Sequence, residues 1–393
     1  MTKCSNPLAL IAELTHRCPL HCVYCSNPLQ LTSRHEELTT ADWLRVFSEA
    51  AALGVLHLHL TGGEPLARPD LAELIKGASQ SRLYTNLITS GVGLSQERLA
   101  QLVEAGLDHI QLSFQDSKET QANWIAGARA HAHKLELAQW IHEHQTGKHQ
   151  SGKHCIAFTA NLVVHRQNID HLDEMIVQLE SLHPDRMEIA HAQYYGWALQ
   201  NRSALLPTRA QLDRAIAVVA AAEQRLRGQV RIDMVVPDYH ARFPKACMGG
   251  WGRQLLLIDP AGQALPCHAA GVIPGLSFDN VREHPLDWIW QNSAAFQKFR
   301  GEAWMPDPCR SCDRRQEDFG GCRCQAFLLT GNASATDPVC ELAPAHHLIE
   351  DAVREDAVPR SIPEVREAPF HVLQEKMTGF WSYRTDPKGS GQR

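Results

Sequence analysis

From residue 8 to residue 226 the chain repeats one rhythm, a short apolar run followed by a helical stretch. The runs 8–14, 55–60, 83–88, 110–114, 156–164 and 186–190 read as strands. The stretches 40–53, 70–79, 96–105, 118–144, 169–182 and 209–226 read as helices. Thr40 is placed to cap the first helix and Gly54 to end it. Such alternation implies a parallel sheet with right-handed crossovers. Six units imply an α/β fold of the open (β/α)6 barrel kind, short of the eight repeats that close a barrel. In α/β barrels chemistry gathers at the C-terminal ends of the strands. Residues 18–25 follow the first strand, 62–65 follow the second, and 113–115 close the fourth, so all three should meet at one rim.

The first of these segments carries Cys18, Cys22 and Cys25 in the spacing C-x3-C-x2-C. Three thiolates on one short loop can hold three corners of a [4Fe–4S] cube. The fourth iron is then open to a small chelating molecule. Zinc is the competing reading, because His21 could supply a fourth ligand, although structural zinc sites favour paired C-x2-C units.

The remaining cysteines bear on the choice. There are twelve in 393 residues, and seven lie between Cys247 and Cys340. No apolar run reaches transmembrane length and the N-terminus lacks an apolar signal region, so a cytoplasmic protein is expected. Clustered thiols in that setting point to metal, not disulfides. Cys4 and Cys155 stand apart and are read as unligated. The net charge of −6 gives no reason to propose nucleic acid or a membrane surface as partner. His57 and His59 share one strand face and are read as ordinary strand residues. His131, His133, His142 and His144 pair at i, i+2, a spacing that does not converge on a helix, and are read as a solvated face.

After Pro237 the composition changes. The expected division is 5–230 for the barrel, 240–347 for a cysteine-rich domain, and 351–393 for a mobile, charged tail. In the second domain a β-hairpin spans residues 255–267, with Cys247 before it and Cys267 on its return strand. Cys309, Cys312, Cys322, Cys324 and Cys340 follow. Seven thiols with few long apolar helices argue that metal is part of this fold. Two tidy zinc sets would need eight.

The C-x3-C-x2-C loop, with Tyr24 before its third cysteine, resembles the signature of the radical S-adenosylmethionine (SAM) superfamily. Gly62-Gly63-Glu64-Pro65 resembles that superfamily's GGEP motif, which holds the SAM amino group. The resemblance implies a [4Fe–4S] cluster on Cys18, Cys22 and Cys25, with SAM on the open iron as source of a 5′-deoxyadenosyl radical. Asn86, Ser90, Ser113 and Asn161, at or near later strand ends, are weaker candidates for SAM contacts. The order C-x14-G-x4-C, C-x2-C-x5-D-x3-C, C resembles the SPASM domain, which carries two auxiliary Fe–S clusters. Carried over by position, the first cluster would use Cys247, Cys267, Cys322 and Cys324. The second would use Cys309, Cys312, Cys340 and Asp318, where the pattern has cysteine.

Residues 18–29, 84–91, 247–252, 310–315 and 318–327 resemble the family of peptide-modifying enzymes that begins pyrroloquinoline quinone (PQQ) biosynthesis. The last stretch is the most specific, since it includes both Asp318 and the added Cys324. The resemblance implies an oxidoreductase that joins a Glu side chain to a Tyr ring of a ribosomal precursor peptide. It also implies a small peptide-binding chaperone protein and an external electron donor. Another SPASM peptide maturase, forming thioethers or oxidising sulfatases, is the alternative. A non-catalytic zinc or electron-transfer protein is a third reading.

Overall fold

The computed structural model describes residues 5–146, 155–354 and 384. Cys4 and most of the 351–393 tail lie outside the described residues. The alternation does give a parallel sheet. Its strands are β1 (Ala9–Thr15), β2 (His57–Gly62), β3 (Tyr84–Thr89), β4 (His109–Phe114), β5 (Ala157–Val164) and β6 (Arg186–His191). Two features extend it. A further strand, β7 (Arg231–Val235), pairs parallel to β6. At the other side β8 (Leu255–Ile258) pairs parallel to β1, and β9 (Ala264–Leu265) returns antiparallel to β8. The order is β7-β6-β5-β4-β3-β2-β1-β8-β9, an open sheet. The hairpin of the cysteine-rich region therefore extends the barrel's own sheet.

Alternation along β1 explains this seam. Leu10, Ala12 and Leu14 point into the main core with Trp43, Phe47 and Leu58. Ile11, on the other face, packs with Trp251, Leu255, Leu257, Cys267 and Cys324. Successive strand side chains face opposite ways, so one strand serves both cores.

Helix α1 (Thr40–Leu53) is capped one residue earlier than expected. The Thr39 side chain accepts from the Asp42 amide, and the Asp42 carboxylate accepts from the Thr39 amide. Gly54 closes the helix with φ of 97°. Helices α2 (Leu71–Gln80) and α3 (Gln96–Glu104) follow β2 and β3.

The single helix expected over 118–144 is instead two, α4 (Glu119–Ala126) and α5 (His131–Thr146). Gly127 takes a left-handed φ of 66° and ends α4. The Asn123 side chain then accepts from the amides of Ala130 (2.8 Å) and His131 (3.1 Å) at the start of α5. The histidines of α5 are not a solvated face either. His131 is buried, His133 bonds the Gly91 carbonyl at 3.1 Å, and His142 lies 4.7 Å from the His183 ring. Among the described residues, no helix is long and apolar enough to cross a membrane.

Candidate active site

The break between α4 and α5 shapes the cysteine loop. The amide of His21 donates to the Ala126 carbonyl at 2.9 Å, and that of Val23 to Ile125 at 3.4 Å. A Cβ on Gly127 would lie 2.8 Å from the His21 Cβ, so the turn and the loop are in close contact. From the other side Asn201 Nδ2 donates to the Val23 carbonyl at 2.8 Å, and the Ala198 amide donates to Cys25 at 3.0 Å.

The glycines at the end of β2, Gly62 and Gly63, press against the start of the same loop. The Glu64 amide donates to the Arg17 carbonyl at 2.7 Å. A Cβ at Gly63 would stand 2.3 Å from that oxygen, and one at Gly62 2.3 Å from the Thr15 carbonyl oxygen. Only glycine allows this approach.

Cys18, Cys22, Cys25, Gly62, Gly63 and Ser113 line one cavity, together with Tyr24, Thr89 and Ser90. Burial pushes the Cys18 thiol up to about 12 and Cys22 to about 11, and raises Cys25 as well. Such thiols ionise only when a cation offsets the lost hydration, which a bound cluster does. Their donor chemistry and the glycine cradle fit the cluster and a chelating ligand.

The other candidates sit elsewhere in the network. Glu64 is buried, and its carboxylate accepts from Thr89 Oγ1 (2.6 Å), the Ser90 amide (2.8 Å) and the Leu66 amide (3.1 Å). Burial raises its pKa against the pull of these bonds. Pro65 begins the short turn behind it. Tyr24 Oη accepts from Gln115 Nε2 at 3.0 Å. Asn86 bonds His59 (3.2 Å) and Gln111 (3.3 Å) inside the barrel and does not line the cysteine cavity. Asn161, opposite Ser113 on β5, has a buried Oδ1 with no partner among the described residues.

Two cations here were not anticipated. Lys134 is buried, and its Nζ donates to the Ser113 carbonyl (2.8 Å) and Gln115 Oε1 (2.6 Å). Burial lowers it to about 8, against the attraction of Cys22, Glu64 and Cys18. The signal was available in the register, since Leu137, Ala138 and Ile141 mark the buried face on which Lys134 lies. Arg384, from the tail, is also buried and lines the same cavity; its guanidinium bonds the His16 carbonyl, and its own carbonyl lies 2.7 Å from His21 Nδ1.

A second cavity opens beside the first. His191, Ala192 and Gln193 line both, and beyond them the second is lined by Cys247, Cys267 and Cys322. Cys267 Sγ lies 3.5 Å from Cys324 Sγ. The four thiols share protons: hydrogen bonds from Cys247, then Cys324, pull Cys267 and Cys322 down, and raise their donors. Cys309, Cys312, Asp318 and Cys340 line a third, small cavity. Asp318 is buried there, and burial raises its carboxyl. Among the described residues no three His, Cys, Asp or Glu side chains converge at single-ion spacing. Cys155 is apart from all three sets, with its Sγ 3.3 Å from the Gln145 carbonyl.

An open parallel barrel with a three-thiol rim loop, joined to a cysteine-rich extension, defines a radical SAM enzyme with auxiliary Fe–S clusters. The radical SAM superfamily matches residues 12–179, and the SPASM iron–sulfur cluster-binding domain matches residues 247–313. The chain is 55% identical to the PqqA peptide cyclase of Methylocella silvestris, over 88% of this chain and 90% of that one. It is 54% identical to the PqqA peptide cyclase of Bradyrhizobium diazoefficiens, over 87% and 88%. This chain belongs to the PqqA peptide cyclase family. Its fold is similar to that of Streptococcus suis SuiB bound to S-adenosylmethionine (TM-score 0.70, 19% identity, 86% of this chain and 78% of that one). It is also similar to anSMEcpe with bound AdoMet (TM-score 0.59, 14% identity, 88% and 95%).

Proposed function

We propose that this chain joins a Glu side chain to a Tyr ring of the PqqA precursor peptide by a carbon–carbon bond; its relatives are named PqqA peptide cyclases. The observation that supports this most is the strip His191–Ala192–Gln193, common to the three-thiol cavity and the Cys247/Cys267/Cys322 cavity. A substrate against that strip lies beside both a site of radical chemistry and a site able to accept an electron.

Cys18, Cys22 and Cys25 would hold the [4Fe–4S] cluster. Gly62 and Gly63 would bring backbone groups to SAM, while Tyr24 and Ser113 line the same space. When bound, these cofactors supply one-electron chemistry that takes a hydrogen atom from an unactivated C–H bond. Glu64 would act by fixing the Thr89–Ser90 turn. Cys247, Cys267, Cys322 and Cys324 would hold one auxiliary cluster, and Cys309, Cys312, Asp318 and Cys340 the other.

The peptide arrives on a small binding chaperone, electrons come from an external donor, and the reaction takes place in the cytoplasm. The names of the relatives favour this reading over a thioether-forming or sulfatase-maturing enzyme. The test is anaerobic incubation of the reconstituted chain with PqqA, SAM and a reductant. The expected product is a peptide lighter by two hydrogen atoms, with Glu and Tyr linked in its fragment spectrum. SAM cleavage without any such peptide overturns the reading.

A further inference from the structure

Tyr194 and Tyr195 are neighbours in sequence yet belong to different cores. Tyr194 packs in a cluster with Trp124, Leu205 and Tyr239, whereas Tyr195 packs against the cluster of Trp251, Cys267 and Cys324. The Tyr195 Oη lies 3.0 Å from Cys322 Sγ. The Tyr194 hydroxyl is buried with no partner among the described residues. Tyr195 follows β6 in the barrel, so this contact reaches across the seam to a thiol of the other region. Tyr195 also lines the cavity that Cys247, Cys267 and Cys322 share.

We infer that Tyr195 is a positioning residue that sets the reduction potential of the Cys247/Cys267/Cys322/Cys324 site by donating its phenol hydrogen to Cys322. The inference rests on the auxiliary ligand set proposed above. A metal-bound thiolate has no proton to give, so at this distance the phenol is the donor. A hydrogen bond to a ligand sulfur withdraws negative charge from it and favours the reduced, more negative cluster. The barrel thereby makes the neighbouring site a better electron acceptor from the cavity that both line. The Cys322 amide is held separately, donating to Asp337 Oδ2 at 2.7 Å, so the backbone there stays fixed when the phenol is changed.

The test is a redox titration, followed by electron paramagnetic resonance, of the full chain reconstituted anaerobically. Tyr195→Phe removes only the hydroxyl. One midpoint should fall by the equivalent of about a tenfold change in reduction equilibrium, about 59 mV for one electron. The other midpoints and the iron content should stay at wild-type values. Tyr194→Phe should move no midpoint. A ring-fluorinated tyrosine at position 195, a stronger donor, should raise the midpoint that Tyr195→Phe lowers, and it reports even if Tyr195→Phe does not fold. Unchanged midpoints in Tyr195→Phe at full iron content overturn the inference. Iron loss in Tyr195→Phe, with no shift in the fluorinated chain, makes the tyrosine a structural clamp only. A Cys322→Ala chain that keeps all its iron overturns the ligand set and the inference with it, whereas normal peptide cyclisation with unshifted midpoints overturns the inference alone.

Discussion

The thiols at the barrel rim all come from residues 18–25, whereas those beside Tyr195 come from residues 247, 267, 322 and 324. The rim loop takes its shape from neighbours that bond its backbone: the end of α4, Asn201 and Ala198. The four-thiol site has no loop of its own. Cys267 and Cys324 are buried in an apolar cluster with Ile11, Trp251 and Leu257. On the ligand sets proposed above, metal in the first place would equip a loop already shaped by its neighbours; in the second it would tie distant segments, and its binding free energy would be folding free energy. One set of thiols is local in sequence, the other is gathered from three segments.

The largest expected effect comes from replacing Cys18, Cys22 and Cys25 together with Ala. SAM cleavage should be abolished, while the auxiliary clusters and the melting temperature stay near wild type. Any 5′-deoxyadenosine formed by that chain breaks the assignment, and loss of all iron breaks the comparison.

Asp318→Cys is expected to come next. A carboxylate oxygen is a harder donor than a thiolate, and ligand type helps to set a cluster's potential. The second auxiliary cluster should persist with a shifted midpoint, and cross-linked peptide should fall more than 5′-deoxyadenosine. Asp318→Ala should loosen the cluster. Unchanged midpoints and yields in both chains would leave Asp318 a mere lining residue.

Gly63→Ala tests the rim alone. Its Cβ would stand 2.3 Å from the Arg17 carbonyl oxygen, so backbone must move. Overpacking of this kind costs about 1–3 kcal/mol. SAM affinity, read by equilibrium dialysis, should fall about tenfold or more, with the auxiliary midpoints unmoved. Wild-type affinity would show that the close approach is dispensable.

The effect with the least bearing on the chemistry sits at the seam, and it is one of stability. Burial opposes ionisation of Glu13, but hydrogen bonds from His16 and His268 outweigh it and hold the carboxyl near 2 instead of 4.5. Its Oε1 lies 2.9 Å from His268 Nδ1, next to Cys267. A depressed carboxylate pKa contributes stability that is present above the unfolded value and is lost as pH falls from about 4.5 to about 2. The full contribution is up to about 3 kcal/mol. Denaturant melts of wild type and Glu13→Gln should converge over that window, and parallel curves would refute the pairing.

The local site was legible in the sequence because everything that defines it is contiguous: the cysteine spacing, the Gly62–Gly63 turn and the strand–helix rhythm. What escaped is what other parts of the chain impose. A lone Gly127 in a polar helical stretch does not announce a break; the break is fixed by the Asn123 cap and by contact with His21. β7 reads Arg-Ile-Asp-Met-Val, and its charges suit an edge strand but do not reveal its partner. Lys134 lies on the face that Leu137, Ala138 and Ile141 mark as buried, but its partners, Ser113 and Gln115, come only with the fold. Of the tail read as mobile, the described Arg384 is buried at the rim.

The pairing of β8 with β1 bears on how the protein is made. The strand leading into the cysteine loop has β2 on one side and β8 on the other. β8 begins at Leu255, far behind β1 in synthesis. At roughly 5–20 residues per second, the ribosome needs on the order of ten to fifty seconds to cover that interval. Throughout that time β1 has a bare edge of unpaired amides and carbonyls, the kind of edge that recruits wrong partners. The nascent barrel therefore stays open to misassembly beside the three-thiol loop until the cysteine-rich region arrives to cover that edge.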